Sequence, residues 1–517
     1  MTSRHYDVVV VGRSIGALAA AALLARRDFR TLLIGQGQKP ASYRFEGRAL
    51  RRRAFTFLSA TSPTFRRMLH ELSQTQVFRR RLSPQDPMFS VIGEGFRLEI
   101  PPSIELFARE VDREFPEVRP VVDEMYGLFA SANAALDQSF DRDVVWPPGT
   151  FWERFETGRA AAGLPLGESD ADAVLGKFPA GHPYRDVTLL PAYFASDLAP
   201  AAGVMPALAL ARLHGSWTRG VQALAGGEDE LEAFLVERLV AHGAECRLDQ
   251  RALSIVVRGR HARGIIEDGQ ETPTSADSIL LDCPGEDVAE LSRGEGISRG
   301  AEKEWPRVTA LAGRFVVSLV VKAKGLPSQL PEESFILPRR SERPDPRRLV
   351  VHLQRPPARD PEHPDEALLV AEAIVPKRGT LTLLEARESI LNTVYDALPF
   401  LERHLVMVDS PHDGLPLHDY TSGARREIDR IHLTESKPVA EPMQWLWSVE
   451  PRGYLRLAGE PVRGPVPGTY LVGSTVLPAL GQEGQLIAAA SAARLVTRRD
   501  RAREKLRRDM WTKIETG

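Results

Sequence analysis

The chain has almost no cysteine: two residues in 517, Cys246 and Cys283. Neither stands in a C-x-x-C pair or near clustered histidines, which argues against a disulfide framework and a structural zinc centre. Net charge is also lacking. With 67 basic against 69 acidic residues, the composition gives no reason to expect nucleic acid as a partner. No apolar run approaches the length of a membrane span, and no signal-peptide pattern precedes the first strand. The expectation is a cytoplasmic protein. Repeats and low-complexity tracts are missing too. No Ser/His/Asp set, metal-ligand cluster or carboxylate pair stands out, and His182, His214 and His352 are scattered singly. No catalytic residue is assigned, and no metal is expected.

What the chain does have begins with "DVVVVGRSIGALAAAALLARR", residues 7–27. An unbroken β-branched run predicts a strand buried on both faces of a parallel sheet. A glycine turn and an Ala/Leu helix follow, then a second strand at 31–34. This β-α-β unit aims a helix N-terminus where a pyrophosphate would sit. The usual three glycines read here Gly12, Ser14 and Ala17. Gly12, Ser14, Ile15, Gly16 and Ala17 are the candidate pyrophosphate residues, with the Ser14 hydroxyl a possible phosphate ligand. The carboxylate that ordinarily ends the second strand and binds ribose is replaced by Gly35, with Gln36 next as a partial substitute.

A second strand–glycine–helix unit lies at 468–496, "GTYLVGSTVLPALGQEGQLIAAASAARLV". Its strand is expected at Tyr470–Val472 and its helix at Gln485–Val496. This segment resembles the C-terminal flavin motif of bacterial carotenoid (phytoene) desaturases: Gly473, Pro478, Gly481 and Gly484 match in order and spacing. Ser474, Thr475, Leu477, Ala479 and Glu483 depart from it, with Leu477 in place of a histidine. Residues 95–116 and 226–287 resemble further segments of the same family. The latter opens at Gly226–Gly227 with a helix whose inner face is Leu231, Phe234, Leu235 and Leu239. The family's Gly-Gly-Arg segment corresponds to "KPASYRFEGR", where Pro40 and Arg44 remain.

The resemblance implies an α/β fold, an FAD-binding Rossmann-like domain interleaved with an α+β substrate domain. The expected segments are 1–75, 226–295 and 461–497 for the nucleotide domain. Residues 76–225 form a helical substrate region, 296–460 a substrate domain with an antiparallel sheet, and 498–517 a basic tail. The resemblance also implies FAD as cofactor, held by the residues above with Gly35, Gln36, Arg44, Ala252, Leu253, Gly473, Ser474, Gly484 and Gln485. The backbone at Ala252 and Leu253 would meet the adenine end. The implied activity is oxidoreduction of C–C bonds in a hydrophobic, isoprenoid-like small molecule. Gly35 and the lost glycine pair favour an alternative: an FAD-less binding protein of this architecture, taking a lipid or protein partner, as in regulators of prenylated GTPases. Basic clusters at 48–53, 79–81 and 498–508 read first as solvated faces. Their functional alternative is peripheral contact with an anionic membrane.

Overall fold

The computed structural model describes residues 5–339, 348–357, 361–430 and 440–515. The protein is a mixed α/β molecule with a Rossmann-like unit and a second, sheet-rich unit. Four consecutive valines end β1 (His5–Val11), and all four are buried. They can be so because β1 is central: it pairs in parallel with β2 (Thr31–Ile34) on one side and with Thr274–Leu281 on the other. Strands Glu245–Arg247 and Thr469–Leu471 extend this parallel core outward. The meander predicted around Gly259 is present as strands Ala252–Arg258 and His261–Glu267. It joins the sheet antiparallel at the start of Thr274–Leu281.

Helix α1 (Ile15–Arg26) packs its alanines against the C-terminal helix Gly481–Thr497. That helix starts four residues before its expected position, because its glycines serve close approach and do not end a turn. A Cβ on Gly481, whose φ is +52°, would lie 1.9 Å from the Ala195 carbonyl oxygen. One on Gly484 would lie 2.3 Å from that of Leu477. The tail is also helical, Arg501–Glu515.

The second sheet has ten strands among the described residues. Its spine is the 16-residue strand Arg307–Lys322, flanked by Glu366–Pro376 on one edge and by Leu405–Asp409 and Gln444–Glu450 on the other. Val351–Gln354, Glu333–Ile336, Phe89–Gly93 and Phe96–Ile100 continue it at one end, and Leu417–Asp419 and Arg426–Ile428 complete it at the other. Phe96–Ile100 with the following helix Ile104–Glu114 forms the strand–turn–helix that the resemblance implies at 95–116. Helix Leu383–Ala397 covers one face through Ala386, Ile390 and Val394. Phe194 and Trp217, on helices Tyr184–Ala195 and Ala207–Thr218, pack ring against ring with Phe335 and His352 of the sheet, Phe335 and His352 stacking at 4.8 Å.

The basic run at 48–53 is not an open cationic face. Arg48 pairs with Glu366, Arg52 with Glu441 and Arg53 with Glu228, at 2.6–2.9 Å. Among the described residues, no helix is long and apolar enough to cross a membrane.

Candidate functional site

The parallel register determines what meets the first glycine turn. Val11 lies beside Leu281, so the residue after each strand, Gly12 and Asp282, are neighbours. Gly12 has φ +126°, and a Cβ there would fall 2.2 Å from that of Asp282. The Asp282 carboxylate reaches across the turn and accepts from the Ser14 N–H at 3.0 Å. A Cβ on Gly473 would lie 2.7 Å from its other oxygen. The two glycine turns of the sequence therefore converge, and the group between them is Asp282.

Ser14 caps α1, its hydroxyl accepting from the Ala17 N–H at 3.2 Å. The hydroxyl also bonds Asp282, so both its roles are internal. Gln38 covers the turn, accepting from the Arg13 N–H at 2.9 Å and bonding Asp282. The Arg13 guanidinium is held by Glu232 at 2.7 Å. The N-terminus of α1 does attract an anion, as helix polarity favours, but the anion belongs to the chain.

Several other expected positions are likewise taken up internally. Gln36, at φ +55°, accepts from the Ala252 N–H at 2.8 Å and donates to its carbonyl at 3.0 Å. It thereby occupies the backbone groups that the resemblance assigns to adenine. Gly35 has no room for a side chain: a Cβ would sit 2.0 Å from the Leu248 carbonyl oxygen. Leu253 is exposed. Arg44 is exposed on a half-buried hairpin, donating to Gly47. Ser474 accepts from the Trp447 indole at 3.0 Å. Ile15 is partly buried against the core. A Cβ on Gly16 would meet the Val472 carbonyl at 2.1 Å.

Gln485 donates to Asp197, a fully buried carboxylate, at 3.1 Å. Burial pushes both Asp197 and Asp282 up to about 6, against the hydrogen bonds that favour ionisation, and Asp282 raises Asp197 further. From Asp197 a chain of buried charge runs into the second sheet. Arg314 lowers Asp197 and pairs with Glu372 at 3.3 Å. Glu372 and Glu333 bracket His352 at 3.4 and 2.7 Å. Burial opposes protonation of His352, but its two glutamates prevail and hold it up at about 9. Thr56 and Gln354 complete the chain around Glu333. They open onto a cavity of about 40 Å³, also lined by Arg51, Arg53, Phe55 and Gln85. That space suits a few waters.

These residues do not fit the pyrophosphate of a dinucleotide. Its contact with the turn is made by Asp282. An ionised Asp282 would also repel a phosphate about 4 Å away by roughly 4 kcal/mol at an effective dielectric of 20. The same geometry sets a pH dependence. Asp282 has a folded-state pKa above the ordinary carboxylate value of about 3.9. Its contribution to stability is complete below that value and is lost as pH rises through about 6. Buried His214, pushed down to about 4, acts oppositely over part of this range, so the comparison must be between variants. Asp282→Asn is expected to have a melting temperature close to wild type at pH 4 and above it at pH 8. The stability gain at pH 8 should be on the order of 1–3 kcal/mol. Equal gains at both pH values would contradict the assignment.

A family model for an NAD(P)-binding Rossmann-like domain matches residues 10–72. No curated protein sequence matches the chain. Among solved structures, a putrescine oxidase redesigned in its cofactor binding shares 16% identity over 96% of this chain and 100% of its own, with a TM-score of 0.59. Cyclohexylamine oxidase from Brevibacterium oxydans shares 14% over 97% and 99%, TM-score 0.54. An oxidoreductase from Methanosarcina mazei shares 14% over 92% and 98%, TM-score 0.51. The fold is therefore that of oxidoreductases, matched over nearly the whole chain. At these identities the likeness establishes fold alone.

Proposed function

We propose that this chain is a cofactor-free binding protein built on the oxidoreductase fold. The observation that carries the reading is the Asp282 carboxylate, bonded to the Ser14 N–H between the two glycine turns. Gln36 on Ala252 supports it. Full-length protein incubated with excess FAD and desalted is expected to show no visible flavin absorption. It should also transfer no electrons from an amine or an isoprenoid to an artificial acceptor. Stoichiometric retained flavin would overturn the reading.

A second reading is an FAD-dependent oxidoreductase acting on a hydrophobic substrate, as the desaturase resemblance implies. It is favoured by the full-length likeness to oxidases and by the close contacts kept at Gly12, Gly16 and Gly484. It requires Asp282 and Gln38 to leave the turn, so it predicts that Asp282→Gly binds FAD more tightly than wild type. The cofactor-free reading expects neither protein to retain flavin.

A further inference from the structure

Helix Phe151–Ala160 presents an unusual outer face. Phe151, Trp152 and Phe155 are 75%, 71% and 54% exposed. At 100° per residue they fall within a single 100° arc of the helix. Scattered exposed apolar residues need no explanation, but contiguous aromatics do. Phe151 and Trp152 pack edge to face at 5.7 Å, and Arg159 lies over the Phe155 ring at 5.7 Å.

The helix is firmly held on its other side. Thr150 and Glu153 form a capping box, and buried Glu153 pairs with Arg463 at 2.6 Å. Thr157 donates to the Val145 carbonyl at 2.9 Å. The aromatic face is therefore a fixed feature and not a fraying end. Side chains this exposed project outward, as a membrane wedge does, and do not line a groove.

Cations border this face, with Glu156 and Asp143 paired among them. Arg154 and Arg159 are exposed on the helix itself. The basic end of the C-terminal helix reaches the same place, Arg498 and Arg494 approaching Glu156 at 3.6 and 3.8 Å. The neighbouring acid Asp143 is taken by Arg494 and Arg507 at 2.6 and 2.8 Å. The helix that follows exposes Arg501 and Lys505. This local excess stands out on a chain whose formal net charge is only -2.

We infer that the outer face of helix Phe151–Ala160, with the basic residues beside it, docks on an anionic lipid bilayer. The aromatic rings would enter the headgroup–acyl boundary while the cations meet lipid phosphates. The inference does not rest on the cofactor question, since none of these residues touches the glycine turns.

The test is co-sedimentation of the full chain with two kinds of vesicle, phosphatidylcholine alone and phosphatidylcholine containing phosphatidylglycerol. Binding is expected to the anionic vesicles and to weaken as salt rises. The variant Phe151→Ser/Trp152→Ser/Phe155→Ser should lose about tenfold or more in partitioning, with its melting temperature unchanged because the substituted side chains are exposed. Arg154→Gln/Arg159→Gln should bind less and with a shallower salt dependence. Absence of wild-type binding, equal binding to both vesicles, or a triple variant that binds like wild type would each overturn the inference. So would a wild-type dimer that the triple variant dissolves without any change in vesicle binding, since the face would then join two copies.

Discussion

Arg212→Met is expected to destabilise the protein by about 3–5 kcal/mol, the usual cost of leaving a buried charge without its partner. Arg212 is 1% exposed. Its guanidinium bonds Glu483 through two nitrogens, at 2.5 and 2.6 Å, and reaches Asp137 at 2.7 Å and Asn133 at 3.1 Å. Burial disfavours the ionised Glu483, and Arg212 is what nevertheless holds its carboxyl below the ordinary range. Methionine fills much of the volume but leaves that charge unanswered. The double variant Arg212→Met/Glu483→Gln should therefore recover at least half of the loss, since both ends of the pair are then neutral. Urea unfolding of the two variants measures this. A single variant as stable as wild type would show that the pair contributes nothing net. Glu483 stands where the desaturase motif has proline, so this network is one of the places where the chain has departed from the pattern it resembles.

Gly35→Glu is the second large effect, and it runs against what the sequence suggests. Restoring the ribose carboxylate at the end of β2 looks like a repair. In the structure the new Cβ would lie 2.0 Å from the Leu248 carbonyl oxygen and 2.7 Å from its carbon. Relief would require β2 and Glu245–Arg247 to part, breaking the bond from the Gly35 N–H to the Arg247 carbonyl at 3.1 Å. A loss above about 4 kcal/mol, or failure to fold, is expected. Gly35→Ala should be damaged in the same direction, because the clash begins at Cβ and not at the charge. Denaturation midpoints for both variants decide the matter. A soluble Gly35→Glu protein of wild-type stability with new affinity for FAD would contradict the geometry.

Much of the framework was legible because it rests on local pattern. The valines of β1, the Ala/Leu run of α1 and the meander around Gly259 each signal their own structure within a few residues. The face predicted for Glu228–Ala241 (Leu231, Phe234, Leu235 and Leu239) is buried as expected. The state of the site was less legible because it depends on pairing across distance. Asp282 reaches Ser14 across 268 residues of sequence, and only the parallel register brings them together. One signal was present: an aspartate follows directly on a strand that neighbours β1, where a first glycine turn leaves little space. Asp197, which follows helix Tyr184–Ala195, carries no such mark. The serine at position 14 read as a possible phosphate ligand because its capping bond and its bond to Asp282 both depend on the fold.

The dinucleotide turn is closed by the protein's own side chains. The most direct measurement is the melting temperature of the full chain against rising FAD at neutral pH. A ligand that binds only the folded state raises it in proportion to the logarithm of excess ligand over Kd, by roughly 2.7 kcal/mol of stability at a hundredfold excess. No rise is expected at any FAD concentration, for wild type and for Asp282→Asn alike. A saturable, concentration-dependent rise in wild type would show that Asp282 yields its place to a phosphate, and that the chain is a flavoprotein.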